Sequence, residues 1–208
     1  MVLRLKCDKE ALKKAAQVIK QGGLVVYPTD TVYGLGCNPF DLKAVKRIYE
    51  LKKRSNKPLP ILCSSIDHVK ELVNLRDLGL RLAARYWPGP LTIVAEIKSN
   101  VLPIPFIRRL RSLGVRIPNH QAALRLIELS GGKLVGTSAN RSGSKPPTTA
   151  DEVLNTLGSE FDILLDGGPT PLQKESTVVD TISGKLRILR EGALKLSEAS
   201  AGLNEGKA

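Results

Sequence analysis

Short apolar runs alternate with amphipathic segments along this whole chain, and glycine or proline closes most of them. Asp8 can cap a first helix over 9–21, because its side chain can accept free N–H groups of the first turn, and Gly22-Gly23 ends that helix. Strands that alternate with helices predict an α/β fold, a mixed, twisted open sheet with flanking helices. The predicted helices cover 9–21, 42–52, 66–73, 77–86, 121–130 and 150–157, and the predicted strands cover 24–27, 59–63, 91–97, 114–117, 134–137, 163–166, 177–180 and 186–189.

The chain is long enough, at 208 residues, to bury a proper core as one domain. No linker rich in proline or serine interrupts it, and no internal repeat is visible. We therefore expect one folded domain over 1–192. Residues 193–208 are mostly small and polar, and we expect them to form a short, partly mobile C-terminal tail.

The N-terminus and the cysteines indicate a cytoplasmic protein. Charged residues follow the first methionine at once, so we expect no signal peptide, and no apolar run approaches the roughly 18 residues that span a membrane. Cys7, Cys37 and Cys63 form no C-x-x-C pair, which predicts reduced, mostly buried thiols. His68 and His120 lack the spacing of metal ligands, so no protein-held metal site is expected.

The net charge of +12 raises the hypothesis of an RNA-binding module, because Lys and Arg release phosphate counterions on binding. Lys and Arg are scattered along the chain, however, and aromatic residues make up only 4% without the interleaving that base stacking needs. A solvated basic surface accounts for most of this charge. RNA binding stays an alternative function, with weak RNA or tRNA binding as a candidate interaction.

Four polar segments follow or join predicted strands, where α/β proteins place their ligand crevices. The segment 28–36 offers hydroxyls and backbone amides, or is a polar turn. The cations of 52–57 suit adjacent phosphates, or complement a helix dipole. The segment 136–143 places hydroxyls and an amide after a strand, or is a capped turn, and 175–180 with Arg190 is equally ambiguous alone.

Together, and in this order, these segments resemble the threonylcarbamoyl-AMP synthase family, the YrdC-like proteins, over nearly the whole chain. The chain resembles the single-domain type, because it ends shortly after Arg190. The motifs that carry the resemblance are Pro28-Thr29-Asp30-Thr31-Val32-Tyr33-Gly34-Leu35-Gly36, Lys52-x-Arg54, Trp87-Pro88-Gly89-Pro90-Leu91-Thr92, Val115-Arg116-Ile117-Pro118, Ser138-Ala139-Asn140 with Ser142-Gly143, and Ser176-Thr177-Val178-Val179-Asp180.

The resemblance implies a YrdC-like fold with a concave, basic crevice and a nucleotidyltransferase that acts as L-threonylcarbamoyladenylate synthase. Such an enzyme joins L-threonine, bicarbonate and ATP, with Mg²⁺ accompanying the ATP, into threonylcarbamoyl-AMP and releases pyrophosphate. The product serves the N6-threonylcarbamoyladenosine modification of tRNA adenosine 37. A separate threonylcarbamoyl transferase complex performs that later step.

The resemblance also assigns roles to residues at matching positions. Lys52 and Arg54 are expected to be the catalytic cations, whereas Lys53 is expected to be an exposed neighbour. Three positions depart from the family pattern: Leu62 stands where many members have histidine, Ser112 where threonine is frequent, and Pro146 where serine is frequent. The L-threonine site is expected to use Thr31, Arg116, Gly136 and Ser176, and the ATP site Lys52, Arg54, Lys57, Ser112, Ser138, Asn140 and Arg190.

Overall fold

Two mixed β-sheets with helices packed on them form the part of the protein that the computed structural model describes, residues 2–53, 58–98 and 111–196. The strands are β1 Leu3–Lys6, β2 Val25–Tyr27, β3 Gly34–Gly36, β4 Ile61–Cys63, β5 Val73–Asn74, β6 Leu91–Ile97, β7 Ser112–Arg116, β8 Lys133–Val135, β9 Thr137–Ser138, β10 Ile163–Asp166, β11 Thr177–Asp180 and β12 Arg187–Arg190. The helices are α1 Lys9–Lys20, α2 Leu42–Leu51, α3 Ile66–Leu72, α4 Asp77–Tyr86, α5 Gln121–Leu129 and α6 Ala150–Leu157.

The first sheet has the strand order β1-β10-β2-β3-β9, and the second has the order β12-β11-β6-β7-β4-β8 with β5 beside β6. Parallel pairs, such as β4 with β7, and antiparallel pairs, such as β6 with β7, occur in both sheets. The α/β class with open mixed sheets is confirmed, but the strands form two sheets rather than one. The predicted strand 134–137 is divided accordingly, because the chain leaves the second sheet at Val135 and enters the first at Thr137.

The central strands of the second sheet have one face in the core and one face open to a cavity. Successive side chains of a strand point to opposite faces. Ile93 of β6 and Val115 of β7 point toward the core, and both are fully buried. The opposite side presents Thr92 from β6 and Arg116 from β7. A sheet with this pattern can hold a ligand on the side that the core does not use.

Amphipathic helices pack with their apolar faces against the sheets and the core. Asp8 caps α1 by accepting the Ala11 N–H at 2.8 Å, as the sequence predicts, and Gly22 follows the helix with a φ of +84°. Helices α1 and α5 pack against each other, with α1 on strands β2 and β10 of the first sheet and α5 on strands β4 and β8 of the second. Their small and aliphatic side chains share a core cluster with Tyr27. Helix α2 buries Ile48 and Leu51 in the larger core, to which residues of both sheets contribute.

The first residues after 192 are held against the second sheet. The Ala193 N–H donates to the Glu175 carbonyl at 2.8 Å, the Leu194 N–H donates to Thr177 Oγ1 at 3.1 Å, and the Leu194 side chain packs on the core. Residues 197–208 lie outside the described ranges, so the predicted tail stays a prediction. Among the helices described, none is both long and apolar enough to cross a membrane.

Candidate functional site

A cavity of about 290 Å³ lies on the open face of the second sheet. Strands β4, β6, β7 and β11 provide its floor, and the loop that joins β2 to β3 provides one wall. Gly114 keeps the floor open between Thr92 and Pro60, because a Cβ at this position would lie 3.3 Å from Thr92 Cγ2 and 3.4 Å from Pro60 Cβ. A glycine in a strand often marks such a close approach.

Arg116 occupies the inner end of the cavity and is only 4% exposed. Its Nη2 donates to Asp30 Oδ1 at 2.5 Å, its Nη1 to Thr31 Oγ1 at 3.0 Å, and its Nε to the Gly89 carbonyl at 2.8 Å. Burial lowers the pKa of Arg116, and the adjacent Asp30 carboxylate opposes that shift. The guanidinium is therefore a buried, oriented cation, since arginine stays protonated in proteins.

The Thr31 hydroxyl has a defined direction. Thr29 Oγ1 donates to the Val32 carbonyl at 2.7 Å, so its contact with Thr31 Oγ1 at 3.0 Å requires Thr31 to be the donor. Arg116 uses one lone pair of Thr31 Oγ1. Among the described residues, no group donates a hydrogen bond to the second lone pair of Thr31 Oγ1. The Thr31 hydroxyl can therefore accept a hydrogen bond from a ligand amine.

Arg190 stands at the rim of the cavity, on the edge strand β12. Its Nη1 donates to Glu175 Oε1 at 2.6 Å, and its Nε and Nη2 donate to the Ser176 carbonyl at 3.2 and 2.9 Å. Nη2 also lies 3.2 Å from Ser176 Oγ, which is 2.8 Å from Thr92 Oγ1. At the rim, the Arg190 guanidinium therefore contacts the Ser176 hydroxyl, which in turn contacts the Thr92 hydroxyl on the floor of the cavity.

Lys52 lies behind the cavity rather than in its wall. It is 1% exposed, its Nζ donates to the carbonyls of Ser138 and Asn140, the latter at 2.6 Å, and its carbonyl accepts the Ser142 N–H at 2.9 Å. These bonds fasten the end of α2 to the loop after β9. Lys53, in contrast, is exposed, as predicted.

The cavity brings together the four residues expected to bind L-threonine and two of those expected to bind ATP. Its lining includes Thr31, Arg116, Gly136, Ser176, Ser138 and Arg190. Asn140 lies behind the wall with Lys52. Ser112, at the start of β7, pairs with Glu96 and is absent from the lining. Arg54 and Lys57 lie outside the described residues, so their predicted roles stay predictions.

Besides Ser112, the other two positions that depart from the family pattern also have a defined place relative to the cavity. Leu62 lines it, and a Cβ on Gly136 would lie 2.3 Å from Leu62 Cγ, so these two residues fit only because one is glycine. Pro146 is half-buried and does not belong to the lining.

The sequence reasoning did not assign roles to several residues of the site. Asp30, Thr92 and Glu175 stand in or beside the quoted motifs, but spacing alone does not reveal their partners. One feature of the sequence could have pointed to Asp30, because it is a carboxylate three residues after the end of a predicted buried strand, where an unpaired charge is costly. No feature of the sequence indicated that Gly114 would lie in the site.

Comparisons with known proteins show which family and which solved structures this chain is similar to. The Sua5/YciO/YrdC family model, described as "Telomere recombination", matches residues 17–192. The threonylcarbamoyl-AMP synthase of Pyrococcus abyssi is 40% identical over 205 residues, covering 98% of this chain and 60% of that protein. The threonylcarbamoyl-AMP synthase of Neisseria gonorrhoeae is 36% identical over 178 residues, covering 84% of this chain and 93% of that protein.

A solved structure extends the comparison to three dimensions. The crystal structure of P. abyssi Sua5 complexed with L-threonine superposes with a TM-score of 0.90 at 39% identity, over 99% of this chain and 61% of that one. The chain therefore spans about 60% of the length of these P. abyssi relatives.

Proposed function

This chain belongs to the Sua5/YciO/YrdC family, and from that membership we propose that it is an L-threonylcarbamoyladenylate synthase. It would be a nucleotidyltransferase that converts L-threonine, bicarbonate and ATP into threonylcarbamoyl-AMP, pyrophosphate and water. One observation carries the proposal: a single cavity gathers all four residues expected to bind L-threonine with Ser138 and Arg190 of the expected ATP set.

The inner end of the cavity suits an α-amino acid. Arg116 is a buried guanidinium that can bind a carboxylate, and Thr31 Oγ1 has a lone pair that can accept an amine hydrogen. L-threonine offers a carboxylate and an amine on one carbon. The P. abyssi relative that superposes on this chain was crystallised with L-threonine, which supports this assignment.

The rim of the cavity suits a triphosphate. Arg190 provides a charge there, and Ser138 lines the adjoining wall. Arg54 and Lys57 are proposed to add further positive charge, and Lys52 to hold the loop from Ser138 to Ser142 in place. We propose Lys52 and Arg54 as the catalytic cations on the strength of the family motif.

Magnesium enters this proposal as part of the substrate Mg·ATP. The described ranges contain no group of three or more His, Cys, Asp or Glu side chains that could form a cage for a metal ion. Oxygen ligands from phosphates are typical of Mg²⁺.

The chemistry needs positioned reactants rather than a covalent enzyme intermediate. The threonine amine is carboxylated by bicarbonate to a carbamate, with loss of water, and a carbamate oxygen then attacks the α-phosphorus of ATP. A new P–O bond forms, the bond to the β-phosphate oxygen breaks, and pyrophosphate leaves. Positive charge around the phosphates stabilises this transfer.

The cysteines do not compete with this scheme as nucleophiles. Burial raises the pKa of Cys63 to about 12 and that of Cys7 to about 11, and it also raises the pKa of Cys37. Their thiols are therefore protonated at neutral pH, and thiols in this state are poor nucleophiles.

The same proposal covers the location of the enzyme and the use of its product. A cytoplasmic enzyme of this kind would supply threonylcarbamoyl-AMP to a transferase complex that modifies tRNA adenosine 37. Direct RNA binding is not favoured by the comparisons, because the relatives are named for synthesis of the adenylate.

The proposal is tested with the purified chain, L-threonine, bicarbonate and Mg·ATP. We expect pyrophosphate release that depends on L-threonine, together with threonylcarbamoyl-AMP detected by mass spectrometry. L-valine serves as a matched control, since it has nearly the shape of threonine without the hydroxyl. Pyrophosphate release that is indifferent to L-threonine contradicts the proposal, and so does full activity after Lys52→Ala and Arg54→Ala together.

A further inference from the structure

Asp30 is a buried carboxylate directly behind the cavity. It is 4% exposed, and it is absent from the cavity lining. Its Oδ1 accepts from Arg116 at 2.5 Å, whereas its Oδ2 is buried without a hydrogen-bond partner in the described part of the chain. Burying an unsatisfied charged oxygen is costly, so its retention calls for a functional reason.

Asp30 is one of three groups that fix the Arg116 guanidinium. The Gly89 carbonyl accepts from Nε, Thr31 Oγ1 accepts from Nη1, and Asp30 accepts from Nη2. A guanidinium has five N–H groups. The three bonds leave one N–H on each terminal nitrogen without an acceptor among the described residues, and two N–H groups match the two oxygens of one carboxylate.

The three acceptors are not equivalent. Gly89 contributes a backbone carbonyl and Thr31 a neutral hydroxyl, so Asp30 is the charged member of the set. Charge-assisted bonds are shorter and stronger than neutral ones. The partners in this ion pair are about equally buried, with side-chain exposures of 5% for Arg116 and 6% for Asp30, so water does not screen the attraction.

We propose that Asp30 is a positioning residue for amino-acid binding: it holds Arg116 so that the two remaining N–H groups face the substrate carboxylate. This inference rests on the proposed function and deepens it. Asp30 acts through Arg116 and does not touch the substrate. Its loss therefore weakens binding of the amino acid and leaves binding of Mg·ATP nearly unchanged.

Steady-state kinetics of wild type, Asp30→Asn, Arg116→Gln and the double variant test this role. Asp30→Asn is expected to raise KM for L-threonine about tenfold, with KM for Mg·ATP within about twofold of wild type. Arg116→Gln is expected to raise KM for L-threonine further. The double variant is expected to have the same KM for L-threonine as Arg116→Gln alone, because the effects of coupled residues are not additive.

Asp162→Asn is the matched control. Asp162 also pairs with an arginine, Arg47, at 3.1 Å, but it lies outside the cavity lining. Its replacement is expected to leave both KM values unchanged. The positioning role is overturned if Asp30→Asn raises KM for L-threonine by the same factor in the Arg116→Gln background, or if it raises both KM values equally.

A second measurement separates this inference from the proposed function. Without threonine-dependent turnover in wild type, the proposed function fails, and arginine side-chain ¹⁵N NMR still tests the positioning. Separate Nη resonances are expected for Arg116 in wild type and Asp162→Asn, and averaged ones in Asp30→Asn. Unchanged Arg116 resonances in Asp30→Asn overturn the inference whatever the reaction.

Discussion

Two arginines line the same cavity, and each is paired with an acid, but their surroundings differ. Arg116 and Asp30 have side-chain exposures of 5% and 6%, whereas Arg190 and Glu175 have 41% and 32%. A buried pair interacts strongly in a fixed geometry, while an exposed pair contributes about 0–1 kcal/mol and is screened by salt. The inner arginine is therefore held in a fixed orientation, and under the proposed function the rim arginine exchanges its carboxylate for an incoming phosphate.

Replacement of Arg116 is expected to have the largest effect on stability. Arg116→Ala leaves the Asp30 carboxylate buried without its counter-ion, and breaking such a pair costs about 3–5 kcal/mol. Urea denaturation monitored by circular dichroism measures the loss. Arg190→Ala, the rim counterpart, is expected to cost about 1 kcal/mol or less. Equal losses in the two variants contradict the distinction between the inner and rim pairs.

Arg190→Ala is expected to act on nucleotide binding instead. One charge-assisted hydrogen bond contributes about 1.5–3 kcal/mol, so KM for Mg·ATP should rise roughly tenfold to a hundredfold. KM for L-threonine should change little, because Arg116 remains in place. Kinetics at low and moderate salt measure both values. A larger change in KM for L-threonine than for Mg·ATP contradicts this division of labour.

Glu175→Gln is expected to have a smaller effect of the opposite sign. The Glu175 carboxylate competes with phosphate for Arg190 Nη1, to which it is bonded at 2.6 Å. Removing an exposed competitor of about 1 kcal/mol should lower KM for Mg·ATP up to about fivefold. Glu191→Gln is a control with the same chemical change on a neighbouring exposed residue. A rise in KM for Mg·ATP contradicts the competition and makes Glu175 an orienting group.

Much of the fold could be predicted from local pattern. Helices α4 and α6 and strands β6, β10 and β11 have the predicted bounds, because periodicity, caps and glycine or proline stops act within the segment. Strands β1, β3 and β5 were missed, and β9 was predicted only as the last residue of the strand over 134–137. They have two to four residues and exist through pairing with distant strands, as β3 does with β2 and β9.

The residues of the site likewise fall into two groups, those that the motifs predict and those whose partners only the structure shows. Motif order predicts which residues come together, and Thr31, Arg116 and Ser176 do line one cavity. The sequence could not show that Lys52 is buried against backbone carbonyls, or that Asp30 and Glu175 pair with the two arginines. Such pairings depend on packing across strands far apart in sequence, which no local spacing encodes.

The smallest expected effect concerns His120, which adds a titratable neighbour to the inner pair. Its Nδ1 accepts the Ala123 N–H at 3.3 Å and caps α5. Burial lowers the pKa of His120, and the Asp30 carboxylate opposes that shift. The folded chain therefore takes up this proton less readily than the unfolded chain. Stability from this group is full above the unfolded pKa of about 6.5 and is lost as pH falls through the folded pKa.

His120→Asn isolates this contribution, because asparagine is a good helix cap that does not titrate. Melting temperature measured from pH 8 to pH 5 should fall less in His120→Asn than in wild type. His68→Asn is the control, since His68 lies on α3, outside the cavity lining. If wild type and His120→Asn lose stability in parallel below pH 6.5, the acid sensitivity comes from other groups and the inner pair has no titratable neighbour of consequence.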